Sequence, residues 1–261
     1  METVISTDGT PIAYQRAGSG PPIVLVHGTL GVSKRWPIVP LLEPHFTVIT
    51  FDRRGRGDSG DGPDYSLERE AEDIAALASA IGGEVSLLGH SFGALCALEA
   101  ALLIPRLRHL ILYEPVLSGA PPEAIARLEA LLEAGDREGA VLTMFREIVE
   151  MPPDEIEYLR ASPNFPAMVA AAHTVPRELR TEEQYRFDRA RFERLTVPTL
   201  LLLGGDSPPS LKKPTETLHA TIPNSRIVVL PDQQHIAHYT APELLARKVR
   251  AFVFGPDPVE G

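Results

Sequence analysis

The segment 89–93, Gly-His-Ser-Phe-Gly, holds the residue types that nucleophilic catalysis by a serine requires. The apolar run before it, 84–88, predicts a short buried strand, and the run after it, 94–103, predicts a helix. A serine on a sharp turn from strand to helix holds its hydroxyl out of the fold at the positive end of the helix dipole. The two glycines allow the strand and helix backbones to approach where a Cβ atom would clash. The sequence therefore predicts that Ser91 is a nucleophile.

A serine hydroxyl is a weak nucleophile alone and needs a neighbouring general base, most often a histidine. The loop 230–238 follows the last predicted strand and holds His235 and His238, so both compete for this role. A carboxylate must then hold the imidazole in the correct tautomer and stabilise its protonated form. These residue types indicate acyl transfer through a covalent intermediate on the serine.

The elements around these residues alternate between strand and helix patterns. Continuous apolar runs are typical of strands that are buried on both faces of a parallel sheet. The alternation predicts an α/β fold with a mostly parallel central sheet flanked by helices. Besides the strand at 84–88 and the helix at 94–103, two strands are predicted within 3–16, further strands at 23–26, 46–51, 107–113, 199–203 and 226–230, and further helices at 66–81 and 242–254.

Between residues 117 and 194 the pattern is helical, and no strand is predicted. We expect this block to be a helical cap, or lid, inserted over the carboxyl edge of the sheet, where open α/β sheets bind ligands. Residues 1–116 and 195–261 then form the α/β core. The helices of the block are predicted at 121–134, 136–150, 152–160, 164–173 and 181–194.

Composition narrows the classes of partner and cofactor. The chain of 261 residues has a formal net charge of −10, which argues against a nucleic-acid partner. Its single cysteine, Cys96, cannot form an internal disulfide, and no motif indicates a metal site or a dinucleotide cofactor. Without a signal peptide or an apolar run of membrane length, the expectation is a cytoplasmic protein with no membrane contact. The sequence leaves a homodimer open.

Three arginines, Arg53, Arg54 and Arg56, stand in the loop 52–59. They could bind an anionic substrate. The commoner role of such arginines is to pair with neighbouring carboxylates, here Asp52 and Asp58, and this is the preferred interpretation.

Taken together, these features resemble an α/β-hydrolase with a helical cap, of the small esterase, lactonase and cofactor-free haloperoxidase type. The resemblance rests on His-Gly at 27–28, Asp-Arg-Arg-Gly-Arg-Gly-Asp-Ser at 52–59, the segment 89–93 and a late histidine. It covers nearly the whole chain except the helical block. It implies that 89–93 is the nucleophile elbow of this fold. A serine in place of aspartate argues against dehalogenase and epoxide hydrolase chemistry through an alkyl-enzyme ester.

The resemblance also selects between the two late histidines. In the family pattern the histidine stands seven residues before the Pro-Glu pair that opens the last helix, and His235 stands seven residues before Pro242. His235 is therefore the predicted general base. His238 lies about one helical turn further on, where it either lines the pocket and contacts substrate or merely faces solvent.

By the same resemblance, two backbone N–H groups stabilise the oxyanion that forms during acyl transfer. One belongs to Phe92, directly after the nucleophile. The other belongs to Thr29, directly after the His-Gly pair. His27 is expected beside them as a second substrate contact.

The acid that supports the histidine has two candidates. In the family the usual position follows the strand at 199–203 and reads Gly, two residues, Asp, Pro. This chain reads Gly-Gly-Asp-Ser-Pro at 204–208, so Asp206 stands one residue early. Glu114, after the strand at 107–113, is the rival, because a glutamate carries this role there in a subset of haloalkane dehalogenases. The sequence leaves Glu114 and Asp206 open.

The sequence thus predicts a carboxylic ester hydrolase that acts on small or medium acyl esters through an acyl-enzyme intermediate. Its substrate would be a small-molecule ester or lactone. The same triad also permits a lactonase, a haloperoxidase-like perhydrolase, or a biosynthetic lyase or cyclase. A ligand-binding protein that keeps the fold without catalysis is the alternative from another class.

Overall fold

The computed structural model of the protein describes residues 1–31, 33 and 36–255, and residues 256–261 of the predicted core lie outside this part. Eight strands in the described residues form one sheet in the order β1-β2-β4-β3-β5-β6-β7-β8. The strands are Glu2–Ile5 (β1), Pro11–Ala17 (β2), Pro22–Val26 (β3), Thr47–Phe51 (β4), Val85–His90 (β5), Leu107–Tyr113 (β6), Thr199–Gly204 (β7) and Ser225–Leu230 (β8).

The pairing of the strands confirms the predicted α/β fold with a mostly parallel sheet. Strand β1 is antiparallel to β2, and β2 is antiparallel to β4. The pairs from β4 through β3, β5, β6 and β7 to β8 are all parallel. Strands β5 and β7 are buried along their whole length, as their continuous apolar runs predict. Because the carboxyl ends of parallel strands meet at one edge, the segments after β3, β5, β6 and β8 are brought together there.

Helices cover both faces of the sheet and fill the interval between β6 and β7. The first of the long helices, α2, begins where the Ser66 hydroxyl accepts a hydrogen bond from the Arg69 N–H at 3.3 Å, and it ends before Gly82 at φ 75. The α-helices are Val39–Leu42 (α1), Leu67–Ile81 (α2), Phe92–Ala100 (α3), Pro122–Glu133 (α4), Arg137–Thr143 (α5), Pro153–Ala161 (α6), Phe165–Ala171 (α7), Val175–Gln184 (α8), Arg189–Phe192 (α9), Pro209–His219 (α10), Ala237–Thr240 (α11) and Pro242–Phe254 (α12), with a π-helical turn at Met144–Ile148 and a 3-10 turn at Ala172–Thr174.

Alternating side chains of the strands build a core on each face of the sheet. Val24 and Val26 of β3 pack in the cluster that contains α2 and α3. Ile23 and Leu25 of the same strand pack in the cluster that contains α1 and α12. A third cluster lies within helices α4 to α8 and includes Leu30 of the core. The inserted helices therefore have their own apolar core, which continues into the α/β domain.

The inserted helices differ in part from the pattern predicted for them. They run from Pro122 to Phe192, within the predicted interval of 117–194. The predicted helix at 181–194 is wrong, because α8 ends at Gln184 and a separate short helix begins at Arg189. Helix α10, between β7 and β8, has no counterpart in the sequence prediction.

The insertion is joined to the core by buried and half-buried polar contacts. Arg56 pairs with Glu178 of α8, and both side chains are buried. Glu99 of α3 accepts hydrogen bonds from Tyr185 at 2.9 Å and from Arg191 at 2.6 Å. These contacts attach the end of the insertion nearest to β7 to the core.

The three arginines of the loop 52–59 pair with carboxylates, as preferred, but with different ones. Arg53 binds Glu70 at 2.7 Å, and Arg54 binds Asp73 at 2.7 Å. Together with the Arg56 pair, these contacts occupy all three guanidinium groups inside the protein. No helix in the described ranges combines the length and hydropathy that a membrane crossing needs.

Candidate active site

Ser91 lies on the turn between β5, which ends at His90, and α3, which begins at Phe92. Its backbone has φ 55 and ψ −125, a conformation that is rare for residues other than glycine. The Ser91 N–H donates to the Tyr113 carbonyl at 3.0 Å, which ties the turn to β6. The strained turn therefore holds Ser91 at the carboxyl edge of the sheet.

The glycines on either side of Ser91 leave no room for a side chain. A Cβ atom on Gly93 would lie 2.3 Å from the His27 carbonyl oxygen and 2.4 Å from that of Val26. A Cβ atom on Gly89 would lie 2.6 Å from the Ala94 Cα atom. Because these neighbours are backbone atoms, a larger residue could not be accommodated by a side-chain movement. The close approach of β3, β5 and α3 is thus the reason for both glycines.

His235 and Glu114 form a buried hydrogen-bonded pair. The Nδ1 atom of His235 lies 2.6 Å from Oε2 of Glu114. The other carboxylate oxygen of Glu114 accepts a hydrogen bond from the Gly204 N–H at 2.8 Å. Glu114 directly follows β6 with φ 44, and its side chain is fully buried. The two bonds orient the carboxylate so that His235 presents its other nitrogen, Nε2, for proton transfer.

The loop that carries His235 is fixed to the sheet by two neighbouring side chains. The Tyr113 hydroxyl accepts from the Ala237 N–H at 3.0 Å and donates to the Gln234 carbonyl. The Nε2 atom of His90 lies 2.8 Å from the His235 carbonyl oxygen, so His90 is the donor there. The backbone on both sides of His235 is therefore held before any ligand binds.

Asp206, the other candidate for the acid, lies elsewhere. It is exposed, and its N–H donates to the Gln233 carbonyl at 3.0 Å. The adjacent Gly205 N–H donates to the Leu230 carbonyl at 2.9 Å, so the loop after β7 follows the end of β8. In the described part of the chain the Asp206 carboxylate has no hydrogen bond to His235. The structure thus brings Glu114, and not Asp206, to the histidine.

Ser91 and His235 line one cavity between the core and the inserted helices. Its volume is about 50 Å³. No hydrogen bond joins the Ser91 hydroxyl to His235 in the described residues, and in unliganded active sites this contact commonly tightens only when substrate binds. Of the described residues around the cavity none is Lys, Arg, Asp or Glu; they are His27, Gly28, Thr29, Leu30, Gly31, Trp36, His90, Ser91, Met144, Phe145, Val149, Met151, Leu159, Met168, His235, Ile236, His238 and Tyr239.

The two predicted oxyanion donors lie next to Ser91. Phe92 is the first residue of α3, so its N–H has no acceptor within the helix. Thr29 lines the cavity, and Gly28 before it is so close that a Cβ atom there would lie 3.0 Å from the Ser91 Cβ. No backbone hydrogen bond of the described loops and caps uses either N–H group. Both donors are therefore available to an oxygen atom bound at Ser91.

Comparison with known sequences agrees with the fold described above. The model of the Alpha/beta hydrolase family matches residues 23–248, which is most of the chain. The chain belongs to the alpha/beta hydrolase family. Within this family, a 2-(acetamidomethylene)succinate hydrolase from Mesorhizobium japonicum is 26% identical over 249 residues, 90% of this chain and 89% of that protein. An N-formylmaleamate deformylase from Pseudomonas putida is 39% identical over 121 residues, which are 44% of this chain and only 45% of the deformylase.

Solved structures of other α/β-hydrolases have the same fold. An alpha/beta hydrolase from Sphaerobacter thermophilus is 42% identical with a TM-score of 0.86, and the match covers 96% of this chain and 99% of that one. A thermophilic esterase from Thermogutta terrifontis, solved with malate bound, is 27% identical with a TM-score of 0.72, and the match covers 97% of both chains. The comparisons therefore support an α/β-hydrolase enzyme and leave its substrate open.

The histidines of this α/β-hydrolase site differ in their partners. The Nε2 atom of His27 accepts from the Arg53 N–H at 3.3 Å, and its Nδ1 atom lies 3.0 Å from the Gly28 carbonyl oxygen. Both nitrogens of His27 are thus engaged within the protein, although the ring lines the cavity as expected. Burial lowers the pKa of His27 and of His90 well below the usual value, so both rings are uncharged.

His238 lines the cavity and has no such partner. Its Nδ1 atom is enclosed without a hydrogen bond, and no bond to its Nε2 atom is found in the described residues. Burial, with a contribution from nearby His235, lowers the pKa of His238 to about 3. Because Glu114 contacts His235 and not His238, the geometry supports His235 as the base.

Several residues of the site were missed in the sequence. Trp36 and Tyr113 carry no motif, and only the topology brings Tyr113 of β6 under the loop of His235. Met144, Phe145 and Met168 belong to the apolar core of the insertion, and they also line the cavity. An apolar residue at helical spacing gives no signal that separates a core position from a pocket position.

Proposed function

We propose that the protein is a serine hydrolase that cleaves carboxylic esters through an acyl-enzyme intermediate. The observation that supports this best is the 2.6 Å hydrogen bond between Glu114 and His235 in the cavity that also contains Ser91. A carboxylate, an imidazole and a serine on a strained turn are the three groups that this chemistry needs. Helices α4 to α9 act as a cap over them.

In the proposed reaction the Ser91 hydroxyl attacks the carbonyl carbon of the ester and transfers its proton to Nε2 of His235. Glu114 stabilises the imidazolium that results. The oxyanion of the tetrahedral intermediate accepts hydrogen bonds from the Phe92 and Thr29 N–H groups. His235 then gives its proton to the leaving alcohol. In the second half, His235 takes a proton from water, which attacks the acyl-enzyme and releases the acid.

The lining of the cavity supports an uncharged substrate with a small or medium acyl group. The names of the two curated relatives refer to derivatives of maleamate and succinate, which are carboxylates. Among the residues that the structure describes around this cavity there is no Lys or Arg to pair with a carboxylate. Burying an unpaired carboxylate there would be costly. We therefore propose small uncharged esters as the preferred class of substrate and small lactones as the second class. The amides in the names of those two relatives serve as comparison substrates.

The test is turnover of p-nitrophenyl acetate and butyrate by the wild type and by Ser91→Ala. We expect the substitution to lower kcat by about a thousand-fold or more, because the covalent route is lost. Ser79→Ala, at an exposed position of α2, is the matched control and should keep wild-type turnover. Equal activity of the wild type and Ser91→Ala would refute the proposal.

Covalent labelling separates an enzyme from a ligand-binding protein of the same fold. A fluorophosphonate probe should label the wild type at Ser91 and leave Ser91→Ala unlabelled, because only an activated serine reacts. A panel of small esters, γ-lactones and N-formylmaleamate then ranks the substrate classes by kcat/KM. Faster hydrolysis of N-formylmaleamate than of any ester would overturn the ester assignment and keep the serine mechanism.

A further inference from the structure

His238 is a polar side chain of the cavity that the proposed mechanism leaves unused. It lines the same cavity as Ser91 and is only 5% exposed. Its Nδ1 atom is enclosed without a hydrogen-bond partner, and in the described residues its Nε2 atom has none either. Buried polar side chains of folded proteins almost always have partners, so the Nε2 atom of this imidazole, which has none in the described residues, is free to bind a ligand in the cavity.

The other histidines of the cavity show that the lack of partners is particular to His238. His27 uses both ring nitrogens within the protein, His90 uses Nε2, and His235 uses Nδ1. A phenylalanine at position 238 would offer an aromatic ring to the same neighbours and would bury no polar atom. The unpaired imidazole is therefore a cost to the fold that packing does not explain.

Aromatic neighbours hold the His238 ring in one orientation. Its ring centroid lies 4.2 Å from that of His90, 4.5 Å from that of Tyr239 and 5.6 Å from that of Trp36. Burial keeps the pKa of His238 near 3, so the ring is neutral at physiological pH. A neutral, oriented imidazole offers one N–H donor and one lone pair, and it has no charge to attract a carboxylate.

The chemistry that fits such a group is a hydroxyl. Because Nδ1 is enclosed, a ligand contacts the ring through Nε2. This atom is a donor in one tautomer and an acceptor in the other. A hydroxyl both donates and accepts, so it satisfies Nε2 in either tautomer. Much of the remaining wall is apolar, with Met144, Phe145 and Leu159 among its members.

We infer that the substrate is an uncharged ester whose apolar body carries one hydroxyl group, and that this hydroxyl binds the imidazole of His238. This inference rests on the proposed ester hydrolysis at Ser91 and adds the polar feature by which the substrate is chosen. A site that hydrogen-bonds a substrate hydroxyl rejects the analogue without it, because the protein group is then left unpaired.

The experiment compares substrates that differ by one exchange of methyl for hydroxyl. On the acyl side the pair is methyl butanoate and methyl 3-hydroxypropanoate, and on the alcohol side it is propyl butanoate and 2-hydroxyethyl butanoate. For the wild type we expect kcat/KM to favour the hydroxyl member of one pair by about ten-fold, the usual worth of one net hydrogen bond. A ratio near one in both pairs would overturn the inference.

Variants assign the preference to the imidazole. His238→Phe should bring the ratio of the preferred pair to about one, and His238→Gln, whose amide is also a donor and an acceptor, should keep it above one. His219→Phe, at an exposed position of α10 outside the cavity, is the control and should keep the wild-type ratio. An unchanged ratio in His238→Phe would contradict the assignment, and thermal melting of each variant verifies its folding.

The two proposals fail in different ways. If the wild type and Ser91→Ala cleave all four esters equally, ester hydrolysis at Ser91 is wrong. If the wild type depends on Ser91 but prefers neither hydroxyl ester, only the role of His238 is wrong.

Discussion

Glu114 decides how the histidine is held, and its role can be separated from that of Asp206 by two substitutions. Glu114→Gln keeps the size of the side chain but removes the negative charge that orients and stabilises His235. We expect kcat for p-nitrophenyl butyrate to fall by about ten-thousand-fold, the effect that loss of this charge has in serine proteases. The measurement is kcat at pH 8, with thermal melting to verify the fold.

Asp206→Asn is the matched control for that prediction. Asp206 is exposed and has no hydrogen bond to His235 in the described residues, so its variant should retain kcat within about two-fold, as is usual for surface substitutions. A larger loss in Asp206→Asn than in Glu114→Gln would reverse the assignment of the acid.

The sequence could name both carboxylates but could not choose between them. Glu114 follows β6 and Asp206 follows β7, and these adjacent parallel strands end at the same edge of the sheet. The choice depends on loop conformation: Glu114 has φ 44, and the Gly204 N–H binds its carboxylate at 2.8 Å. A left-handed residue other than glycine has no signature in a single sequence. Ser91, by contrast, could be predicted, because the glycines on either side of it are a direct sequence signal of the tight turn.

At the scale of secondary structure, helix α8 shows why one inserted helix was misplaced. Its buried side includes Glu182 and also Glu178, which pairs with the buried Arg53 and Arg56. Hydrophobic periodicity assumes that the buried face is apolar, so a helix that buries carboxylates is not detected. Helix α10 was missed for another reason, since Pro209 at its start and Pro214 within it resemble helix breakers.

The buried carboxylate of Glu182 on α8 gives a prediction about stability and pH. Burial raises the pKa of Glu182 from its ordinary value of 4.5 to about 8, against the opposing attraction of Arg53. Between these two pH values the folded protein holds a proton that the unfolded chain releases. The stability contributed by this group is therefore fully present below pH 4.5 and is lost as the pH rises toward 8.

The glutamine of Glu182→Gln is uncharged at every pH, so this variant should not lose stability as the pH rises. We expect the free energy of unfolding of the variant to equal that of the wild type at pH 5 and to exceed it at pH 8. The difference should grow by at most about 1.4 kcal/mol for each pH unit between these values. Urea unfolding at three pH values measures the difference in free energy of unfolding. Glu183→Gln changes an exposed side chain of the same helix, and its free energy of unfolding should vary with pH in the same way as that of the wild type. A parallel curve for Glu182→Gln would show that this carboxylate is ionised in the folded protein.

At the scale of the whole molecule, the site is a cavity between two parts of the chain that pattern analysis treats separately. The α/β core supplies Ser91, His235 and Glu114, and the insertion supplies much of the apolar wall. The position of the insertion was predictable, because an all-helical block interrupts the alternation of strands and helices. The shape of the cavity was not, because it depends on how the apolar face of the insertion meets the core. The size of substrate that the cavity accepts therefore depends on how the insertion packs against the core, and no single motif determines it.

The volume of the cavity, about 50 Å³, leads to a prediction about acyl chain length. We expect the wild type to favour p-nitrophenyl acetate and butyrate over the octanoate, since a long chain meets Phe145 and Met168 on the insertion. Phe145→Ala removes part of this wall and should raise the octanoate-to-butyrate ratio of kcat/KM by about ten-fold or more, given the selectivity that one methylene provides in an apolar pocket. Phe187→Ala is the matched control, because Phe187 stacks on Phe192 at 5.3 Å and does not line the cavity. If both variants keep the wild-type ratio while circular dichroism shows them folded, the insertion does not limit chain length and the acyl group must leave the cavity by another path.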